Sequence, residues 1–125
     1  MENPKECKYC LILSTTPDLA TARKLARTLV ENRLAACVNL VPGLESIYRW
    51  QGVIESGSEV LLVIKTELAK QEQTLAALSE LHPYDTPEGV VVALTGGLEK
   101  YLNWIGASLR EDCDSLDKVH EANQH

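Results

Sequence analysis

No stretch of the 125 residues approaches the run of roughly 20 apolar side chains that a membrane-crossing helix needs. The opening residues, Met1-Glu2-Asn3-Pro4-Lys5-Glu6, are polar and of mixed charge, without the apolar region of a secretory signal. A cytoplasmic protein with no membrane partner is the expectation. Positive charge is also scarce: 12 Lys and Arg stand against 18 Asp and Glu, for a formal net charge of −6. Proteins that live on nucleic acid or anionic lipid carry the opposite balance. There are only four cysteines, Cys7, Cys10, Cys37 and Cys113. A chain of this size with an ordinary apolar fraction and no export signal does not need disulfides, so free thiols are expected. The dinucleotide-binding glycine fingerprint, the Walker P-loop, the G-x-S-x-G elbow and the H-E-x-x-H zinc motif are all missing.

What is present is one domain's worth of alternating elements. Tyr9 to Leu13 reads as a buried strand. Thr15 with Asp18 fits a capping box and Pro17 a first helical turn, predicting a helix from about Asp18 to Asn32 with Ala22, Leu25, Ala26, Leu29 and Val30 as its apolar stripe. Ala36 to Val41 is a second strand, Pro42-Gly43 a bend or bulge, and Ser46 to Trp50 resumes the extended pattern. Gln51-Gly52 predicts a tight hairpin turn with positive φ at the glycine. The return arm starts at Val53-Ile54, is interrupted at Ser56-Gly57, and completes a third strand at Val60 to Ile64. A second helix carries Leu68, Leu75, Leu78 and Leu81. It must stop at His82-Pro83-Tyr84-Asp85-Thr86-Pro87-Glu88-Gly89, where two prolines and a glycine force a loop. Val90 to Leu94 is a fourth strand. After Gly96-Gly97 a last helix presents Leu98, Tyr101, Leu102, Ile105 and Leu109.

The order β-α-β-β-α-β with an extra C-terminal helix is the ferredoxin-like α+β arrangement. The division is an N-terminal extension over 1–7, the domain over 8–109, and a polar tail over 110–125 that is expected to be disordered. Single-domain enzymes of this fold that handle acyl phosphates use an arginine in the loop after the first strand. Here Thr15-Thr16-Pro17-Asp18 offers no cation, and no enzymatic activity is expected.

In this layout both helices of the repeat cover one face of the sheet. In a monomer the other face meets water and the strands should alternate. Val60 to Ile64 and Val90 to Leu94 are instead apolar throughout. Either the last helix completes a two-layer monomer, or other subunits cover the second face, and the pattern favours the oligomer. A projecting two-stranded arm bearing Tyr48 and Trp50 is marginal alone and suits a subunit interface, where aromatics are favoured.

Few residues could carry chemistry. Cys7-x-x-Cys10 could be a redox pair or half a zinc site, but it leads into a strand rather than a helix N-terminus, and no second ligand pair follows. His82 could be a metal ligand, since imidazole suits Zn and Cu, or a helix-terminal histidine satisfying carbonyls. Lys65, Tyr84 and Glu88 could line a ligand cleft, or be ordinary exposed groups.

Six motifs in order then complete the reading: Ser14-Thr15-Thr16-Pro17-Asp18, Leu34-Ala35-Ala36-Cys37-Val38-Asn39, Tyr48-Arg49-Trp50-Gln51-Gly52, Lys65-Thr66, His82-Pro83-Tyr84-Asp85-Thr86-Pro87-Glu88 and Tyr101-Leu102-Asn103-Trp104-Ile105. From about Tyr9 to Leu109 the chain resembles the CutA family. The resemblance implies a ferredoxin-like homotrimer, similar in architecture to PII signalling proteins, and a link to tolerance of copper and other divalent cations without a settled catalytic activity. It implies a metal site of which this chain keeps His82. Ser14 stands where metal-binding members have cysteine, and Leu81 where they have a second histidine, so copper binding is expected to be weakened. The alternative it leaves open is a PII-like regulator that binds a small anion or nucleotide between subunits, with Lys65 as a contact.

Overall fold

The computed structural model describes residues 7–110. The extension and tail expected on either side fall, but for Cys7 and Arg110, outside those residues. The elements are β1 (Tyr9–Thr16), α1 (Leu19–Glu31), β2 (Cys37–Trp50), β3 (Val53–Glu67), α2 (Gln71–Leu81), β4 (Val90–Ala93) and α3 (Glu99–Ser108), with one 3-10 turn at Leu68–Lys70 leading into α2. The sheet order is β2-β3-β1-β4, and every neighbouring pair is antiparallel. This is the ferredoxin-like order read from the sequence, with α3 added.

Three local expectations are corrected. β1 continues to Thr16, because Thr15 and Thr16 pair with Leu61 and Val60 on β3. A threonine held in the ladder cannot cap a helix, so the cap of α1 is Asp18, whose Oδ1 accepts from the Thr21 amide at 2.7 Å. Ser56-Gly57 does not interrupt β3: those residues pair with Ile47 and Ser46, and the ladder runs unbroken through them. In α2, Leu81 is 45% exposed while Thr74 is fully buried. The Thr74 hydroxyl lies 2.9 Å from the Lys70 carbonyl and 3.0 Å from that of Leu34, so its burial carries no unsatisfied polar atom. The break at Pro42-Gly43 is a shift of register between Val41 and Leu44. Gly43 sits there at φ 80°, beside a proline that has no N–H for the ladder.

Register sorts the strands into two faces. Cys10, Ile12 and Ser14 lie opposite Thr66, Ile64 and Leu62. All six are fully buried, and the apolar ones among them pack with Ala22, Leu25, Leu29 and Leu78 of α1 and α2. The other face carries Leu11, Leu13, Leu61, Val63, Val41, Val90 and Val92. α3 covers one end of it, where Ile105 and Leu109 pack with Ala36 and Tyr9. The rest stays open: Val41, Val90 and Val92 are each more than 40% exposed.

The turn after α1 ties three elements together. Arg33 takes φ 56°, and the amides of Arg33 and Leu34 donate to the carbonyls of Val30 and Leu29, a Schellman closure. The Leu34 carbonyl accepts from Thr66 at 2.7 Å, Lys70 Nζ donates to the Arg33 carbonyl, and the Arg33 guanidinium donates to the Ser108 carbonyl at the end of α3.

Candidate functional site

The residue before a proline is pushed into extended backbone, and His82 obeys. It closes α2 at φ −77° and ψ 139° before Pro83. That geometry turns its ring inward, leaving the residue 7% exposed. Nδ1 accepts the Tyr84 amide at 3.1 Å, so Nδ1 carries no proton. Nε2 is then the protonated nitrogen and donates to the Thr15 carbonyl of β1 at 2.7 Å. Both ring nitrogens are therefore engaged in holding the 82–89 loop against β1. The carbonyl that Nε2 satisfies belongs to a strand and not to the helix that His82 ends.

Tyr84 continues the chain of contacts. Its ring packs against His82 at 4.8 Å between centroids, and its hydroxyl donates to Glu59 Oε2 at 3.0 Å. Burial, with Glu59 as its partner, pushes the phenol up to about 12, so it stays a donor. Burial raises the Glu59 carboxyl, but hydrogen bonds from Ser46, Tyr84 and Thr15 outweigh it and hold the group below the usual carboxylate range. Glu59 is thus an anchored anion.

This pair forms one wall of an open cleft of about 650 Å³. Tyr48 and Trp50 of β2 supply aromatic surface, 44% and 53% exposed. Gly57 leaves the floor without a side chain, and the 83–88 segment closes the far side. Four carboxylates line it, those of Glu55, Glu59, Asp85 and Glu88, and among the described residues no Lys or Arg does.

Tyr84, Glu88, Tyr48 and Trp50 are therefore brought together, and Lys65 is not among them. It lies six residues from Glu59 along β3, about 20 Å at strand spacing. There it donates to the Tyr101 hydroxyl at 3.2 Å, beside an apolar cavity of about 300 Å³ with Leu11, Leu94 and Leu102 in its wall. Glu55 and Glu59 were not picked out from the sequence. The signal was their two-residue alternation through Gly57, which an expected interruption at Ser56-Gly57 hid.

Of the positions implied for a metal, only His82 carries a nitrogen or sulfur donor. Ser14 Oγ is buried on the helix-covered face with no hydrogen-bond partner, and Leu81 points toward solvent. Among the described residues no three His, Cys, Asp or Glu side chains come together in a way that would hold an ion. Cys10 is buried and its thiol is pushed up to about 11 by that burial, which makes it a poor ligand and a poor nucleophile. No helix of the described residues is long and apolar enough to cross a membrane.

Comparison with known proteins places the whole arrangement. The family model described as CutA1 divalent ion tolerance protein matches residues 10–108. The divalent-cation tolerance protein CutA of Pectobacterium atrosepticum is 49% identical over 104 residues, 83% of this chain and 94% of that one. The chloroplastic CutA protein of Arabidopsis thaliana is 41% identical over 109 residues, 87% of this chain and 60% of the plant protein. Among solved structures, CutA from Xylella fastidiosa superposes with a TM-score of 0.80 at 45% identity, covering 82% of this chain and 98% of its own.

Proposed function

This chain belongs to the CutA family of divalent-cation tolerance proteins, and we propose that it acts as a cytoplasmic, non-catalytic homotrimer whose role is a response to cations. The observation that carries the cation reading is the cleft, lined by four carboxylates and, among the described residues, by no basic side chain. An acidic concave surface concentrates cations and repels anions. Non-catalytic action is supported by the state of the two groups best suited to acid-base or nucleophilic work: His82 has both nitrogens in hydrogen bonds, and Cys10 is buried and protonated. Trimerisation is supported by the open apolar half of the sheet and by the exposed arm with Tyr48 and Trp50.

Copper binding at His82 is weak in this reading. Selective Cu or Zn sites gather three or four nitrogen or sulfur donors. Here Nε2 carries a proton, Nδ1 accepts an amide, and Ser14 and Leu81 add no usable ligand. The test is calorimetric titration of a Cys7→Ser, Cys113→Ser variant with Cu(II) and Zn(II), repeated after His82→Ala. Weak binding that ignores His82→Ala is the expected result. Tight binding lost with His82 would restore a metal site there. A PII-like regulator with an anion or nucleotide at the subunit interface is the competing reading, favoured by Lys65 at the mouth of the smaller cavity. Saturable binding of ATP with no response to any cation would establish it instead.

A further inference from the structure

The helix α1 has two faces that differ in charge as well as in polarity. Ala22, Leu25, Ala26 and Leu29 are turned to the sheet and buried. On the other side Arg23, Lys24 and Arg27 are all exposed, and their spacing makes them neighbours on the helix surface. No carboxylate stands between them: the acidic residues of this stretch are the cap Asp18 and, in the last turn, Glu31. Among the described residues none of the three basic side chains enters a salt bridge. A chain of formal net charge −6 thus carries an unpaired positive face on an outer helix. That face belongs to the helical layer, across the sheet from its open apolar surface, so the assembly proposed above does not cover it.

The continuation of the chain supplies the complementary charge. The described residues end at Arg110, which donates to both carboxylate oxygens of Glu67, at 3.0 and 3.1 Å. Just before it, the Ser108 carbonyl accepts from Arg33, in the turn that follows α1. The chain therefore leaves the fold within one arginine side chain of the C-terminal end of α1. Next in sequence come Glu111, Asp112, Asp114, Asp117 and Glu121, with Lys118 as the one Lys or Arg over 111–121. Arg27 and Arg23 lie about 8 and about 14 Å back along the helix from Asn32. An extended chain advances about 3.3 Å per residue, which puts Asp114 and Asp117 up to about 13 and about 23 Å from Arg110, enough to reach both.

We propose that the acidic segment from Glu111 to Glu121 docks along the exposed face of α1, with its carboxylates on Arg23, Lys24 and Arg27. Exposed ion pairs are individually weak, but a covalent tether presents the segment to the helix at roughly millimolar concentration. The direction also fits, since the segment runs from the C-terminal end of α1 toward its N-terminus, where the helix dipole favours carboxylates. A face so occupied is closed to acidic partners of other origin. The proposal is independent of what the cleft binds.

The experiment attaches a nitroxide at Cys113 of the full-length, assembled protein and reads the paramagnetic relaxation of backbone amides. Cys7→Ser and Cys37→Ser leave Cys10, which is fully buried, as the other thiol. Glu72 and Glu80, exposed on α2 in the same layer, serve as the comparison. At low salt the amides of Arg23, Lys24 and Arg27 should relax about fivefold faster than those two, the preference that three weak ion pairs give. The difference should vanish in an Arg23→Gln, Lys24→Gln, Arg27→Gln variant and shrink at high salt, where such pairs are screened. Equal relaxation at the two helices, or a preference that survives the triple variant, would overturn the proposal. Binding of added polyglutamate to α1, with no relaxation there from Cys113, would overturn it as well and give the face to a separate acidic partner.

Discussion

Ser14 and Glu59 show how a single polar side chain is treated differently on the two faces of one sheet. Ser14 lies under the helices with its hydroxyl unpartnered. A buried, unsatisfied hydroxyl costs about 1–3 kcal/mol, so Ser14→Ala should be neutral or stabilising by up to about 1 kcal/mol, against the usual direction for a core substitution. Urea denaturation checks this, and a clear loss of stability would mean that the hydroxyl has a partner. Glu59, in contrast, is surrounded by donors, and its carboxyl is held below the ordinary range. A group whose folded pKa is depressed stabilises the fold above its unfolded value, about 4.3 for glutamate, and that contribution is lost as pH falls through the folded value. Melting curves of wild type and Glu59→Gln should therefore differ most near neutral pH and converge below about pH 4. A constant gap between them would show that the charge of Glu59 is not what matters.

At the scale of elements, the β2–β3 arm depends on its turn. Gln51 and Gly52 both take positive φ, 49° and 82°, the pattern of a type I′ hairpin turn, in which asparagine is far more at ease than glutamine at the first position. Gln51→Asn should raise stability by up to about 0.5 kcal/mol. Gln51→Val should lower it by about 1–2 kcal/mol, because a β-branched side chain resists the left-handed region. Denaturation at fixed protein concentration distinguishes the two, and no difference between the variants would mean that the tip is uncoupled from the fold. The turn after α1 solves a similar problem with a different residue. Arg33 tolerates φ 56° while its side chain binds the end of α3 and its carbonyl accepts from Lys70. Thr66 of the Lys65-Thr66 motif is part of the same knot, donating to Leu34.

For the whole molecule, the question is what covers the second face of the sheet. α3 reaches only one end, and Val41, Val90 and Val92 are left exposed together with Ile47, Val53 and Ile54 on the arm. Apolar area of this extent on a small chain marks an interaction surface. Light scattering at micromolar concentration should give three chains per particle. Trp50→Ala should lower the melting temperature or dissociate the particle, since truncating an interface aromatic commonly costs about 2 kcal/mol or more. A monomeric mass, or a variant identical to wild type in both measurements, would remove Trp50 and the arm from the assembly.

Periodicity alone carried most of the architecture. The stripe from Ala22 to Leu29, the proline-bounded loop from His82 to Gly89 and the Gln51-Gly52 turn each follow from local rules of backbone and burial, and seven elements in the right order leave few topologies to choose from. Residues whose state depends on distant partners were not legible in this way. Thr15 looked like a cap until β3 claimed its backbone, and Ser56-Gly57 looked like a break until β2 supplied the ladder. His82 looked available until Thr15 and the Tyr84 amide occupied its ring. Lys65 and Tyr84 belong to one motif series, yet Tyr84 meets β3 at Glu59, six residues from Lys65, while Glu55 and Glu59, in no motif, define the cleft. The physical reason is range: helix, turn and strand preferences act over a few residues, whereas a hydrogen-bond partner or a cleft wall is contributed by whichever strand the fold places alongside.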